Sequence, residues 1–187
     1  MGNYQLTLVG GGVRSGKSAH AVSLALQAGP KRTFIATAQA FDDEMERRIA
    51  AHQAERGQDF RTLEAPLDLF SALAQCTDQD AILIDCMTLW LSNQLLQARE
   101  PASILSVLDE VLEQIRTLPG EVIVVSNEVG MGIVPESRLG RQFRDLAGHA
   151  NQRLARAAQR VHFAAMGLIL QLHPAPLALV TPVTPTC

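Results

Sequence analysis

The segment LTLVGGGVRSGKS at residues 6–18 constrains this chain more than any other stretch. Leu6, Leu8 and Val9 form a short apolar run that ends in three glycines, and Gly16-Lys17-Ser18 follows. Residues 11–18 therefore fit G-x-x-x-x-G-K-[ST], the Walker A phosphate loop. Glycines let the backbone turn through conformations that a side chain forbids, so that successive N–H groups point at phosphate oxygens. A helix starting near Ser18 aims its positive dipole end at the same place. Lys17 is expected to neutralise β- and γ-phosphate charge, and the Ser18 hydroxyl to ligate Mg2+. The alternative is a glycine-rich strand-to-helix turn that binds nothing. A chance match in a chain of this size is on the order of one in a hundred. An apolar strand before the loop and an alanine-rich helical stretch after it, residues 19–27, favour phosphate binding.

The remaining pattern alternates strands with helices. After Gly29-Pro30, residues 33–36 (TFIA) read as a second strand, whose C-terminal end is the ligand edge of a parallel sheet. Thr37 is expected to face a nucleotide there. Residues 61–64 read as a short strand closed by Pro66. Residues 81–85 (AILID) form an apolar run ending in a carboxylate, as in a strand buried on both faces. Asp85 takes the Walker B position, where it would hold Mg2+ or its water beside Ser18; the alternative is an aspartate capping the next turn. Residues 121–126 (EVIVVS) lead to Asn127 and Glu128 at the same edge, then to the loop 129–135 (VGMGIVP), either a substrate-facing loop or a tight turn. Residues 161–172 give the last strand, with His162 packed. Helices are expected over residues 42–56, 67–75, 87–98, 101–118 and 138–158. These elements predict an α/β fold of the P-loop NTPase (RecA-like) kind, with a mainly parallel sheet and helices on both faces. A single domain over residues 1–172 and a proline-rich tail over 173–187, with Pro174, Pro176, Pro182 and Pro185, are expected; the tail reads as irregular or disordered.

Two helices carry charge stripes. In 42–56, Glu44, Arg48, His52 and Arg56 recur every four residues and share one face. An imidazole between two guanidinium groups suits an anion, and a neutral His52 can attack phosphorus through a ring nitrogen. A solvated face of i,i+4 pairs explains the same pattern. In 138–158, Leu139, Phe143, Leu146, Ala150 and Leu154 follow the helical period and are core candidates. Arg138, Arg141, Arg144, Arg153 and Arg156 are solvated, at a subunit contact, or near an anionic ligand.

Composition sets the outer limits. At 187 residues and 47% apolar, the chain buries one good core. A net charge of -3 and 4% aromatic residues argue against a nucleic-acid surface. No membrane span or leader is expected, and the cysteines (Cys76, Cys86, Cys187) show neither pairing nor metal spacing, so a cytoplasmic protein with buried thiols is expected.

Several segments together resemble the bifunctional adenosylcobinamide kinase/adenosylcobinamide-phosphate guanylyltransferase family of cobalamin biosynthesis. They are GGVRSGKS at 11–18, IAT at 35–37, DDEMERRIAAH at 42–52, ILIDC at 82–86 and SNEVGMGIVPESRLGRQFRDLAGHANQRLA at 126–155. The similarity extends to about Leu172; the proline-rich tail is not part of the family pattern. The resemblance implies phosphorylation of adenosylcobinamide, then attachment of GMP from GTP to give adenosylcobinamide-GDP and pyrophosphate. It implies a guanylylated histidine, matched by His52, beside Lys17 as the other catalytic residue. It places the nucleotide against Gly11, Gly12, Val13, Arg14, Ser15, Gly16, Lys17 and Ser18, against Ala36, Thr37 and Ala38, against Gln53, Ala54, Glu55 and Arg56, and against Glu64 and Asp85. Mg2+ would sit on Ser18 and Asp85, ATP and GTP would be substrates, the corrinoid the small-molecule partner, and the assembly a homotrimer. Two other readings stay open from the residues: a P-loop kinase of another small hydroxyl substrate, with His52 structural, and a GTP-dependent switch or assembly protein that presents loop 129–135.

Overall fold

The computed structural model describes residues 4–39, 47 and 59–180. Of the expected helix 42–56 all but residue 47 lies outside the described residues, including Glu44, Arg48, His52, Gln53, Ala54, Glu55 and Arg56, as does Cys187.

The chain runs β1 (Gln5–Gly11), α1 (Lys17–Ala28), β2 (Arg32–Ala36), β3 (Arg61–Glu64), α2 (Leu69–Leu73), β4 (Ala81–Asp85), α3 (Met87–Leu96), α4 (Pro101–Ile115), β5 (Glu121–Asn127), α5 (Arg138–Ala157), β6 (Arg160–Ala165), β7 (Leu168–His173) and β8 (Ala178–Val180). The sheet order is β3-β2-β4-β5-β1-β6-β7-β8. From β3 to β6 every pairing is parallel. β7 and β8 add antiparallel strands at one side.

Strand alternation sorts the core into two layers. Leu6, Leu8, Ile82, Ile84, Val122 and Val124 point to one face, where α2, α3, α4 and α5 cover them with Leu69, Met87, Trp90, Leu108 and Leu154. Val9, Leu83, Ile123 and Val125 point to the other, under Ala21 and Ala25 of α1. Each fully buried aliphatic side chain contributes about 1.5–3 kcal/mol. Small residues on α1 let that helix lie close to the sheet, which fixes where its first turn emerges.

Two expectations need correction. The run 161–172 is not one strand: Met166 (φ 54) and Gly167 (φ 80) turn it back, so β6 and β7 form a two-residue hairpin. Positive φ at both turn residues is what a type I′ turn requires. The stretch read as an irregular tail also contributes structure, since Ala178–Val180 pairs with β7.

Candidate active site at the phosphate loop

β1 ends at Gly11, and the chain passes through Arg14 (φ 53) and Gly16 (φ 97) before α1 begins at Lys17. At Gly11 (φ 152) a Cβ would stand 2.5 Å from the Ala164 carbonyl oxygen and 2.7 Å from Ser15 Oγ, so only glycine fits between β6 and the loop. Two struts hold the loop from either side: Glu128 N–H donates to Gly11 O at 3.0 Å, and Gly167 N–H donates to Ser15 O at 3.2 Å. The Lys17 side chain is buried and arches back over the loop, its ammonium donating to Gly12 O at 3.1 Å. Ser15 is buried as well, and its Oγ has no partner among the described residues. A cradle with an ammonium across it and a helix N-terminus behind it is suited to an anion.

The sheet register brings further residues to the same edge. Asp85 is level with Ala36 on one side and Val125 on the other, and Ala36 is level with Glu64. Gly11 is level with Asn127. One strand, β5, separates β4 from β1, so the Asp85 strand lies roughly 10 Å from the loop strand. The structure thus places Gly11, Gly12, Val13, Arg14, Ser15, Gly16, Lys17, Ser18, Ala36, Ala38, Glu64 and Asp85 along the C-terminal edge of the sheet. His52 and residues 53–56 are not among those it describes.

Thr37 departs from its expected role. It is fully buried, its hydroxyl donates to Cys86 O at 2.7 Å, and the same oxygen accepts from Cys86 N–H at 2.8 Å. The hydroxyl's donor and one of its lone pairs are engaged at the β4–α3 junction and the side chain is fully buried, so it ties β2 to the segment after Asp85. Asn93 of α3 extends the tie, donating to Thr37 O at 2.8 Å and Pro66 O at 3.0 Å. The Cys86 thiol beside it is pushed up to about 12 by burial and by the Asp85 charge, and is neutral.

A polar cluster supports β5 from behind. Asn127 N–H donates to Thr88 Oγ1 at 2.6 Å, Ser126 Oγ donates to Asn151 Oδ1 at 2.6 Å, and Asn151 Nδ2 reaches Asn127 O at 3.3 Å. Sequence reasoning missed Thr88, Asn93 and Asn151; the signal was a polar residue on an otherwise apolar helix face. Loop 129–135 is tied to the body by α5: Arg144 donates to Gly130 O at 2.6 Å, and Arg141 to Pro135 O and Glu136 O. Arg153 pairs with Asp109. These arginines hold backbone and a helix, which the sequence alone did not specify. Met131, Ile133 and Val134 of the loop are exposed at the ligand edge. Among the described residues, no cluster of three or more His, Cys, Asp and Glu forms a metal site, and no helix is long and apolar enough to cross a membrane.

The expected P-loop α/β architecture is the one found. Among solved structures, the chain is similar to the flagellar accessory protein FlaH from Methanocaldococcus jannaschii, with a TM-score of 0.50 and 14% identity over 92% of this chain and 79% of that one. That likeness is one of fold. The bifunctional adenosylcobalamin biosynthesis protein CobP of Pseudomonas aeruginosa is 44% identical over 91% of this chain and 98% of its own length. The corresponding CobU proteins of Salmonella typhimurium and Escherichia coli are 40% and 39% identical, each over 87% of this chain and 97% of theirs. Residues 7–172 match the CobU family, described as cobinamide kinase / cobinamide phosphate guanyltransferase. With the phosphate loop, the Asp85 strand and loop 129–135 all inside that match, the chain belongs to the cobinamide kinase / cobinamide phosphate guanyltransferase family.

Proposed function

We propose that the chain catalyses both transfers, phosphorylating adenosylcobinamide and then joining GMP to the phosphorylated product. The observation that carries this reading is the family match across the whole catalytic frame, residues 7–172. The phosphate loop supports it with a preformed anion cradle and the Lys17 ammonium across it.

In the first step the aminopropanol hydroxyl attacks the γ-phosphorus of ATP or GTP; a P–O bond forms, the nucleoside diphosphate leaves, and the hydroxyl proton is lost. In the second, a ring nitrogen of His52 attacks the α-phosphorus of GTP and pyrophosphate leaves. A phosphate oxygen of adenosylcobinamide phosphate then displaces the histidine to form the diphosphate linkage. Loop N–H groups and Lys17 would offset charge on the phosphoryl oxygens in both steps. The hydroxyl of Ser18 and the carboxylate of Asp85 are hard oxygen donors of the kind Mg2+ takes, and they would hold it with waters completing the shell. When bound, the ion supplies further charge neutralisation on the phosphates. A homotrimer in the cytoplasm is the assembly and setting that the family resemblance suggests.

The test is intact mass after incubation with GTP and Mg2+, followed by peptide mapping. An acid-labile GMP adduct on His52, absent in His52→Ala, is expected. GTP binding without an adduct would leave a simple kinase or a switch and overturn the guanylyl-transfer reading.

A further inference from the structure

The phosphate loop is backed on its outer side by the β6–β7 hairpin, and one contact there is unlike the rest. His20, at the end of the first turn of α1, and His162, in the middle of β6, are both buried, and His20 Nε2 lies 2.9 Å from His162 Nδ1. The two ring centroids are 5.1 Å apart and tilted, so the contact is an N–H···N bond in which one ring donates and the other accepts. His20 Nδ1 is buried with no partner among the described residues. A bare lone pair is tolerated there better than an orphaned N–H. The proton of His20 is therefore assigned to Nε2, which donates to His162 Nδ1.

The setting makes this bond a fastening. His162 is level with Val9 of β1, on the face covered by α1. Three residues before His20 stands Lys17, and His20 N–H closes the first helical turn on Gly16 O at 3.1 Å. Beyond His162 the hairpin meets the loop twice more, through the close approach of Ala164 of β6 to Gly11 and through Gly167 N–H of the turn to Ser15 O. Burial holds both imidazoles below the usual histidine range, so the pair is neutral near pH 7. Arg160, two residues before His162 on β6, is paired with Glu121 at 2.5 Å.

We propose that His20 and His162 are positioning residues for nucleotide binding: their N–H···N bridge locks the first turn of α1, and with it Lys17 and Ser18, against the hairpin that backs the phosphate loop. The inference rests on the reading that this loop binds nucleotide phosphates.

The test measures GTP·Mg2+ affinity by calorimetry, KM and kcat for guanylyl transfer, and melting temperature. His162→Leu removes the acceptor and keeps an apolar body; His20→Met breaks the bridge from the helix side and serves where H162L does not fold. The double variant H20Q/H162N restores a bridge, because the amide of glutamine reaches the place of Nε2 and that of asparagine the place of Nδ1. Loss of one such bond is expected to weaken GTP binding and raise KM about threefold to tenfold with kcat little changed. The amide pair should return affinity to within about twofold of the wild type by the same bond-for-bond exchange. Wild-type GTP affinity in a bridge-breaking variant, or an amide pair with the wild-type melting temperature but no recovered affinity, would overturn the positioning role alone. Failure of the wild type to bind GTP·Mg2+ would overturn both this role and the proposed function.

Discussion

Replacing Thr37 with valine separates a brace from a ligand contact. The two side chains are nearly the same shape, so the change deletes the hydroxyl and little else. In the folded protein Cys86 N–H then loses its acceptor, which stands at 2.8 Å, in a fully buried place. Cys86 O loses the hydroxyl donor at 2.7 Å but keeps Trp90 N–H at 3.2 Å. An orphaned buried donor costs about 1–3 kcal/mol, and the lost second bond about 0.5–1.5 kcal/mol, so the expected destabilisation is about 1.5–4.5 kcal/mol. For a domain of this size that lowers the melting temperature by roughly 3–18 °C. Thr37→Ser keeps both bonds and deletes one buried methyl, at about 1 kcal/mol. Thermal unfolding followed by circular dichroism, beside GTP titrations below the transition, reads both quantities. A valine variant with the wild-type melting temperature and a raised KM for GTP would refute the brace and return Thr37 to the nucleotide.

Two further outcomes follow from the same geometry. Lys17→Ala should abolish GTP binding, by at least about a hundredfold as expected when a desolvated charged contact is lost, while the protein stays folded; unchanged affinity would remove the loop from the mechanism. Stability should fall as pH drops from about 6.5 to about 4, because His162 is held down to about 4 by burial, by His20 and by Arg160, and His20 is lowered by burial. The unfolded chain binds protons that the folded pair refuses, so this contribution is complete above the unfolded histidine range and lost on acidification. The His162 part is on the order of 3 kcal/mol. Urea midpoints against pH check it, and H20Q/H162N should flatten that part of the profile.

The parallel centre of the sheet was readable because its strands are apolar on both faces, as in AILID and EVIVVS, and because a phosphate loop requires a strand before it and a helix after it. The β6–β7 turn was hidden for a local reason. Its first residue is Met166, where asparagine or aspartate would have announced a type I′ turn, and the apolar run continues through it. Thr37 was placed correctly at the ligand edge but given the wrong partner, because position along a strand does not reveal which way a hydroxyl is bonded. The His20–His162 bridge joins residues 142 apart in sequence and depends on how closely α1 approaches the sheet, a tertiary fact with no local signature. The stripe containing His52 was legible as a pattern that suits an anion, but the pattern alone did not separate that reading from a solvated helix face.

The two ends of the sheet have a consequence for how the protein behaves among its own copies. β3 spans four residues and is lined by Arg61, Thr62 and Glu64, while β8 spans three and follows a segment with Pro174 and Pro176. A long, flat, apolar border would invite a neighbouring chain to add a strand; short borders, one carrying charge and the other reached through prolines, offer little template for it. Among the described residues β8 thus acts as a stop on lateral growth of the sheet, and its removal would leave β7, with Leu168 and Leu172 already exposed, as the rim open to aggregation.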